Sequence, residues 1–323
     1  NLAASAQKKF SVYAVGFYNQ ENLFDTCHDE GKKDYEYLPN KGWNGMKYTN
    51  KLRNMSKALA DMGTDVLPNV GCAFIGLSEV ENHKVLDALV DQAPLKARNM
   101  KYVHIEGPDR RGIDCALLYN PSLFSVKNVK LLPYVQELAK DSAFFTRGFL
   151  TVRGEMAGDD VAVIVCHWPS RFSGPFYRES AARQVKVIKD SLLNVNQEMK
   201  IFVMGDMNDD PVNKSMHVYL QAKPEISQVG AGDMYNPWYN VLAKEGKGTL
   251  FYSGNWNLFD QIVITPNLLN KDAKKKDYSS LKYWKSHIFR RDYLIQQEGQ
   301  YKGAPLRTTA GGRWLNGYSD HLP

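Results

Sequence analysis

Three features of the sequence predict an α/β fold. Short apolar runs of strand length, rich in β-branched and aromatic residues, recur between residues 10 and 265. Amphipathic stretches with helical period lie between several of them. Most of the apolar runs end abruptly in carboxylate, amide or imidazole side chains, and open α/β architectures bind ligands at the carboxyl ends of their strands. The plainest case is Ile201–Pro211, IFVMGDMNDDP. Ile201 to Met204 read as a buried strand, Gly205 breaks it, and Asp206 and Asn208 follow before Asp209, Asp210 and Pro211 turn the chain away. Gly-Asp-x-Asn also makes an ordinary turn, so its weight comes from the other strands that end the same way.

Taken in order, Phe10–Asn19 is a β-rich core strand running into the polar cluster Asn19-Gln20-Glu21-Asn22. Trp43 and Tyr48 fall in a loop. Thr49 is expected to cap a helix that places Leu52, Met55, Leu59 and Met62 on one face, keeps Arg53 on the polar side and stops at Gly63. Ala73–Leu77 is a second buried strand, followed at once by Ser78-Glu79-Val80-Glu81-Asn82; a carboxylate there is costly unless paired or bound to a cation. Val85, Leu86, Leu89 and Val90 mark a helix. Asp109-Arg110-Arg111-Gly112 leads into strand Cys115–Tyr119, ended by Asn120-Pro121. Thr146–Arg153 and Val161–Cys166 read as a hairpin whose second strand ends in His167-Trp168-Pro169-Ser170-Arg171. Glu179–Leu193 is amphipathic, with Ala181, Val185, Ile188 and Leu192 inward and Arg183, Lys186 and Lys189 outward. Residues 234–257 form an aromatic loop. Leu258–Thr265 is a strand carrying Asp260 among apolar neighbours, and the sequence closes on Ser319-Asp320-His321-Leu322-Pro323.

The 323 residues carry 43% hydrophobic and 24% charged side chains, the composition of a globular enzyme with a large core. No run of 18 apolar residues exists, so no membrane-spanning helix is expected. The net charge of +6 is unevenly placed: residues 267–313 hold eleven Lys and Arg against four Asp and Glu. A basic segment beside an acidic site suits a polyanionic substrate; a solvated lysine-rich loop is the plain alternative. Ala4-Ser5-Ala6 has the small-x-small form of a signal-peptidase site, which makes residues 1–9 an expected residual tail and the protein an exported one, periplasmic or secreted. Cys27, Cys72, Cys115 and Cys166 lack C-x-x-C spacing, which excludes a zinc clasp, and three of them sit in or beside apolar runs as buried thiols.

Each polar strand end has a plain reading. Asn19 caps a turn, Glu79 starts a helix, His167 is a satisfied core histidine, and Asp260 is an acid bonded to backbone. Together they are not a solvated face, because each abuts β-branched or aromatic core.

The motifs YNQENLFD, GLSEVEN, CHWPSR, GDMND, FDQIVIT and SDH, in this order, resemble the endonuclease/exonuclease/phosphatase family, the DNase I-like metal-dependent phosphoesterases, over residues 10–323. The resemblance implies one domain over 10–323, a four-layer α/β/β/α sandwich of two packed, mainly antiparallel sheets with helices outside. It implies Glu79 as main metal ligand helped by Asn19, with Asp320 a further ligand and Glu21 an acid near the metal. It implies Asp206 as the acid that orients or deprotonates water, Asn208 as the amide holding phosphate, Asp260 and His321 as a carboxylate–imidazole pair, and His167 as a donor to a phosphate oxygen. Arg111 and Arg171 join Asn208 as candidate phosphate contacts. Family members carry a strand after the Asp-His pair; only Leu322 and Pro323 follow it here.

A phosphodiester repels nucleophiles and its transition state gathers charge on oxygen. A hard ion such as Mg²⁺, or Mn²⁺ in its place, takes oxygen ligands of the kind Glu79 and Asn19 supply. The activity so implied is a divalent-metal-dependent phosphoester hydrolase, a phosphodiesterase or nuclease, acting as a monomer. Within the same fold the alternative substrate is a phospholipid or inositol-phosphate head group, because exposed aromatics serve bases and membrane interfaces alike. An inactive polyanion-binding module is the remaining alternative, and the filled catalytic positions argue against it. Which of Asp206 and His321 takes the water's proton stays open at this level.

Overall fold

A computed structural model describes residues 10–137, 144–272 and 274–323; the expected leader remnant, residues 1–9, lies outside the described residues. Two sheets carry the chain. The first has strand order β1-β2-β4-β3, with β1 Ala14–Leu23, β2 Cys72–Val80, β3 Lys101–His104 and β4 Asp114–Tyr119. The second has order β5-β6-β7-β8-β13-β10-β9, with β5 Ser125–Leu132, β6 Phe149–Met156, β7 Asp159–His167, β8 Lys200–Asp206, β9 Ala222–Lys223, β10 Met234–Tyr235 and β13 Asp260–Ile264. Pairing is mainly antiparallel; the pairs β1–β2, β7–β8 and β9–β10 are parallel.

Alternation along the strands builds the layers. Phe17 and Phe74 of the first sheet meet Val163, Val165 and Met204 of the second in the inter-sheet core. Their neighbours Tyr18, Ile75 and Leu77 point the other way, onto Leu52, Met55 and Leu59 of helix α1 (Gly45–Asp61) and Val85 and Leu89 of helix α2 (His83–Val90). Ile164, Ile201 and Val203 of the second sheet face Ala181, Ala182 and Val185 of helix α4 (Pro175–Val195), which follows the short α3 (Ala93–Ala97). This is the expected four-layer sandwich. No helix among the described residues is long and apolar enough to cross a membrane.

Several element boundaries differ from expectation. The first strand begins at Ala14 and runs on through Asn19 and Glu21 to Leu23. Helix α1 starts four residues earlier than Thr49, because Asn44 accepts from Lys47 N and satisfies a free first-turn donor better than an interior threonine can; Tyr48 is therefore helical. Lys189 is fully buried, not outward. Its long stem packs with the apolar face and its ammonium donates to Gly232 O at 2.6 Å and faces Asp190 at 2.7 Å. Residues 234–257 contain β10, helix α5 (Tyr239–Ala243) and the hairpin β11 (Leu250–Tyr252) and β12 (Asn255–Asn257). All four cysteines are free thiols, three of them buried.

The basic segment does not sit beside the acidic strand ends. In the β8–β13 pair, Asp260 stands opposite Asp206 while Ile264 stands opposite Phe202. The chain leaves β13 at the Phe202 end, so the exposed Lys274, Lys275 and Lys276 lie at the opposite end of the sheet from Asp206. Later chain returns Arg307 to the acidic end, where it reaches Glu21 and Asp320.

Candidate active site

The site forms where β1, β2, β7 and β8 end and the antiparallel β13 begins. Strand register decides most of it: His167 pairs with Asp206 across β7–β8, and Asp206 pairs with Asp260 across β8–β13. Gly205 permits this approach, since a Cβ there would lie 2.2 Å from Cys166 O.

Glu79 reaches the site by a distortion. Between the rungs Asn19–Ser78 and Leu23–Val80, β1 holds three residues and β2 holds one; against β4, Glu79 faces no partner. Glu21, Asn22 and Glu79 all have left-handed backbone, with φ of 45°, 57° and 60°. A bulge re-aims a side chain, and strain of this kind, of order 1–3 kcal/mol per residue, persists only where surrounding structure enforces it. Here Asn22 N donates to Glu79 Oε2 at 3.0 Å and pins the carboxylate. Its other oxygen faces His167 Nε2 at 3.8 Å.

Asp206 is central. Its Oδ2 accepts from Asn19 Nδ2 at 3.0 Å and lies 3.7 Å from His167 Nε2 and 3.9 Å from His321 Nε2. Its Oδ1 accepts from Asn208 N at 2.9 Å, an Asx turn that puts Asn208 in the left-handed region. Asn208 Nδ2 donates to Trp168 O at 2.9 Å, tying the two loops. His321 Nδ1 pairs with Asp260 Oδ2 at 2.7 Å, and Thr249 Oγ1 donates to the same oxygen. Asn19 Oδ1 accepts from Glu21 N at 2.8 Å and keeps one lone pair free.

Electrostatics push the two histidines apart. Burial, with the Arg147 and Arg111 cations nearby, holds His167 well below its ordinary range, and its buried Nδ1 has no hydrogen-bond partner among the described residues. His321 is buried too, which acts against protonation, but Asp260 and then Asp206 and Asp320 carry it well above the ordinary range. Burial raises Asp206 to about 7, with Asp260 and Glu79 adding to the rise and His321 opposing it. Burial and neighbouring charge thus disfavour the protonated form of His167, favour that of His321, and raise Asp206.

A cavity of about 280 Å³ opens over these groups, lined by Glu79, His167, Asp206, Asn208 and His321 on its floor and by Arg111, Arg147 and Phe145 on one wall. Among the expected phosphate contacts, Arg111 lines it and Arg171 does not. Arg171 is held by Asp210 at 2.8 Å, by Asn208 O and Asn257, and over the Phe259 ring, so it braces the turn after Asn208 against the β12 hairpin. The residue missed from sequence is Arg147. It is buried, paired with Asp109 at 2.9 Å and donates to Trp168 O at 3.0 Å. An arginine next to an apolar strand reads as a solvent-facing residue; only the Asp-Arg-Arg loop packed across it makes it a wall of the cavity. Glu21 and Asp320 do not line the cavity: Arg307 reaches Glu21 Oε1 at 3.2 Å and Asp320 Oδ2 at 3.3 Å, while Asp320 Oδ1 faces His321 Nε2 at 3.9 Å. Burial, and then the Asp320 charge, raises Glu21 to about 7.

The sequence pattern of the Endonuclease/Exonuclease/phosphatase family matches residues 14–323. No curated protein sequence matches the chain. Similar solved structures include the mannosyl-6-phosphatase of Bacteroides thetaiotaomicron VPI-5482, at 13% identity over 79% of this chain and 86% of that one, with a TM-score of 0.51. A humanized D. rerio TDP2 aligns at 14% identity over 85% and 90%, TM-score 0.49, and the human Nocturnin catalytic domain at 15% over 62% and 77%, TM-score 0.40. The likeness to the Bacteroides structure, at 13% identity and a TM-score of 0.51, speaks to fold alone; the pattern match over residues 14–323 speaks to descent. With the sandwich and the converging strand ends in place, the chain belongs to the endonuclease/exonuclease/phosphatase family.

Proposed function

We propose that the protein is a divalent-metal-dependent hydrolase of phosphodiesters, a nuclease-type phosphodiesterase, that uses an activated water. The observation that carries this reading is the convergence on one cavity of Glu79, Asp206, His167 and His321, with the two imidazoles driven to opposite protonation states. The donor set fits a hard cation. Glu79 is aimed at the cavity by a strained bulge, Asn19 keeps a free carbonyl lone pair, and buried Asp206 gains from any neighbouring positive charge. Glu79, with Asn19 and Asp206 beside it, would hold Mg²⁺ or Mn²⁺. Such an ion supplies Lewis acidity toward a phosphoryl oxygen.

The remaining chemistry belongs to the chain. Asp206, oriented by Asn19 Nδ2 and by Asn208 N, takes the proton of the attacking water. His321, held by Asp260, donates to the oxygens that gather charge. Neutral His167 has one N–H, which it directs from Nε2 at a non-bridging oxygen. Donors of this kind contribute roughly 2–4 kcal/mol each in a dry site. Arg111 and Arg147 supply positive charge at the wall, and Asn208 orients Asp206 through its backbone N–H.

A second reading is a phosphomonoesterase. The small cavity and its two arginines favour it, in keeping with the phosphatase activity named for the Bacteroides structure. The proposal takes residues 10–323 as one domain and includes export, which the Ala4-Ser5-Ala6 pattern suggests; mass spectrometry of the native protein checks for an N-terminus near Gln7. The deciding experiment offers purified protein plasmid DNA, RNA, sphingomyelin, inositol phosphates and sugar 6-phosphates, with Mg²⁺ and with EDTA. Hydrolysis of a nucleic acid that EDTA abolishes supports the reading; full activity in EDTA overturns it, and activity confined to monoesters selects the second.

A further inference from the structure

Glu21 and Asp320 are two carboxylates at the active-site end of the sheets that do not line the cavity, and a guanidinium already bridges one oxygen of each, leaving Asp320 Oδ1 facing His321 Nε2 at 3.9 Å. Arg307 Nε donates to Glu21 Oε1 at 3.2 Å and its Nη2 donates to Asp320 Oδ2 at 3.3 Å. The other oxygen of Glu21 accepts from Thr308 N at 2.6 Å. The arginine is placed by backbone: Leu306 N bonds Leu294 O at 2.8 Å and Tyr318 N bonds Leu306 O at 2.7 Å. Beneath it the fully buried Lys51 donates to Thr308 Oγ1 at 2.6 Å and to Tyr318 O. The planar fork of a guanidinium suits two acceptors at once, and it stays charged at every working pH.

We propose that Arg307 is a built-in cation that keeps Glu21 and Asp320 out of metal coordination, so that the centre takes one divalent ion, at Glu79, and not two. This rests on the metal-dependent reading above. With Arg307 in place the facing oxygens of both acids are engaged. With its charge removed, Glu21 Oε1 and Asp320 Oδ2 face each other across the vacated guanidinium position, an arrangement that a hard cation balances.

Mn²⁺ binding followed by electron paramagnetic resonance tests this without reference to activity. The wild-type chain is expected to bind one Mn²⁺, Arg307→Met two, and Arg307→Lys one. Adding Asp320→Asn to Arg307→Met returns the count to one. A folded Arg307→Met that still binds one ion overturns the inference and leaves the metal-dependent reading intact, as does a wild type that binds two. A wild type that binds none overturns both. Should Arg307→Met fail to fold, Glu21→Gln decides. It is expected to keep one site with little change in affinity, and a loss beyond roughly 100-fold, more than an outer partner costs, overturns the inference.

Discussion

Replacing Asp260 by asparagine isolates one interaction at the centre of the site. Asp260 and His321 are both buried, and 2.7 Å separates Asp260 Oδ2 from His321 Nδ1. The substitution keeps the shape and removes the charge that carries His321 above its ordinary range. A hydrogen bond to a charged group contributes about 1.5–3 kcal/mol net, so kcat/KM should fall roughly 10- to 150-fold at about 1.4 kcal/mol per decade. The pH profile should move as well. Wild-type His321 keeps its proton above the ordinary histidine range, whereas the variant should lose activity as pH rises through that range. The assay is Mg²⁺-supported hydrolysis of bis-(p-nitrophenyl) phosphate from pH 5 to 9 for Asp260→Asn, His321→Ala, His167→Ala and their pairs. Residues acting as one unit are not additive, so Asp260→Asn/His321→Ala should stay within about threefold of His321→Ala. His167 has no bond to Asp260, and that pair of effects should multiply. An additive Asp260/His321 cycle, or coupling between Asp260 and His167, would refute the reasoning.

Other expectations follow from packing and charge. Gly205→Ala forces a Cβ to 2.2 Å from Cys166 O, main chain that has no room to yield; a loss of about 1–3 kcal/mol, read by urea denaturation, is expected, and an unchanged midpoint would contradict the close β7–β8 approach. Glu81 is buried beside Asp25, and its Oε1 has no hydrogen-bond partner among the described residues. Burial, with Asp25, Asp29 and Asp34 adding to it, raises Glu81 from 4.5 to about 8. The folded state then keeps a proton that the unfolded chain releases, so stability is fullest below about 4.5 and falls as pH rises toward about 8. Glu81→Gln should flatten that decline in Tm; an unaltered slope would show the carboxylate to be ionised throughout. Reversing charge at Lys274, Lys275 and Lys276, at the far end of the sheet, should leave KM unchanged; a clear rise in KM with substrate would place substrate there after all.

Local chemistry made much of this protein legible from sequence. Apolar runs with period two and period 3.6 are facts of composition along the chain, and they predicted β1, β2, β4, β6, β7, β8 and β13 and the helices α1, α2 and α4 to within a few residues; β3, β5, β9 and β10, short or half-exposed strands, were not predicted from them. Asn19, Glu79, His167, Asp206, Asp260 and His321 were visible because polar groups set directly against apolar core are costly unless they act together. Tertiary structure decided what depends on distant chain. Register across β7, β8 and β13 set Asp206 between His167 and Asp260, and the bridge of His321 to Leu250 brought its ring to Asp260. Paired bulges turned Glu79 toward the cavity, which no residue-type pattern encodes, since left-handed glutamate is enforced from outside. Arg147 became a cavity wall and Arg171 a brace because of the acids that packing brought to each, Asp109 to one and Asp210 to the other. Lys189 went inward, and the lysine-rich segment went to the end of the sheet remote from Asp206, because charge along a sequence says nothing of which end of a strand the chain leaves. The protonation order of His167, His321 and Asp206 is likewise tertiary: it follows from burial and from charges contributed by separate strands and loops.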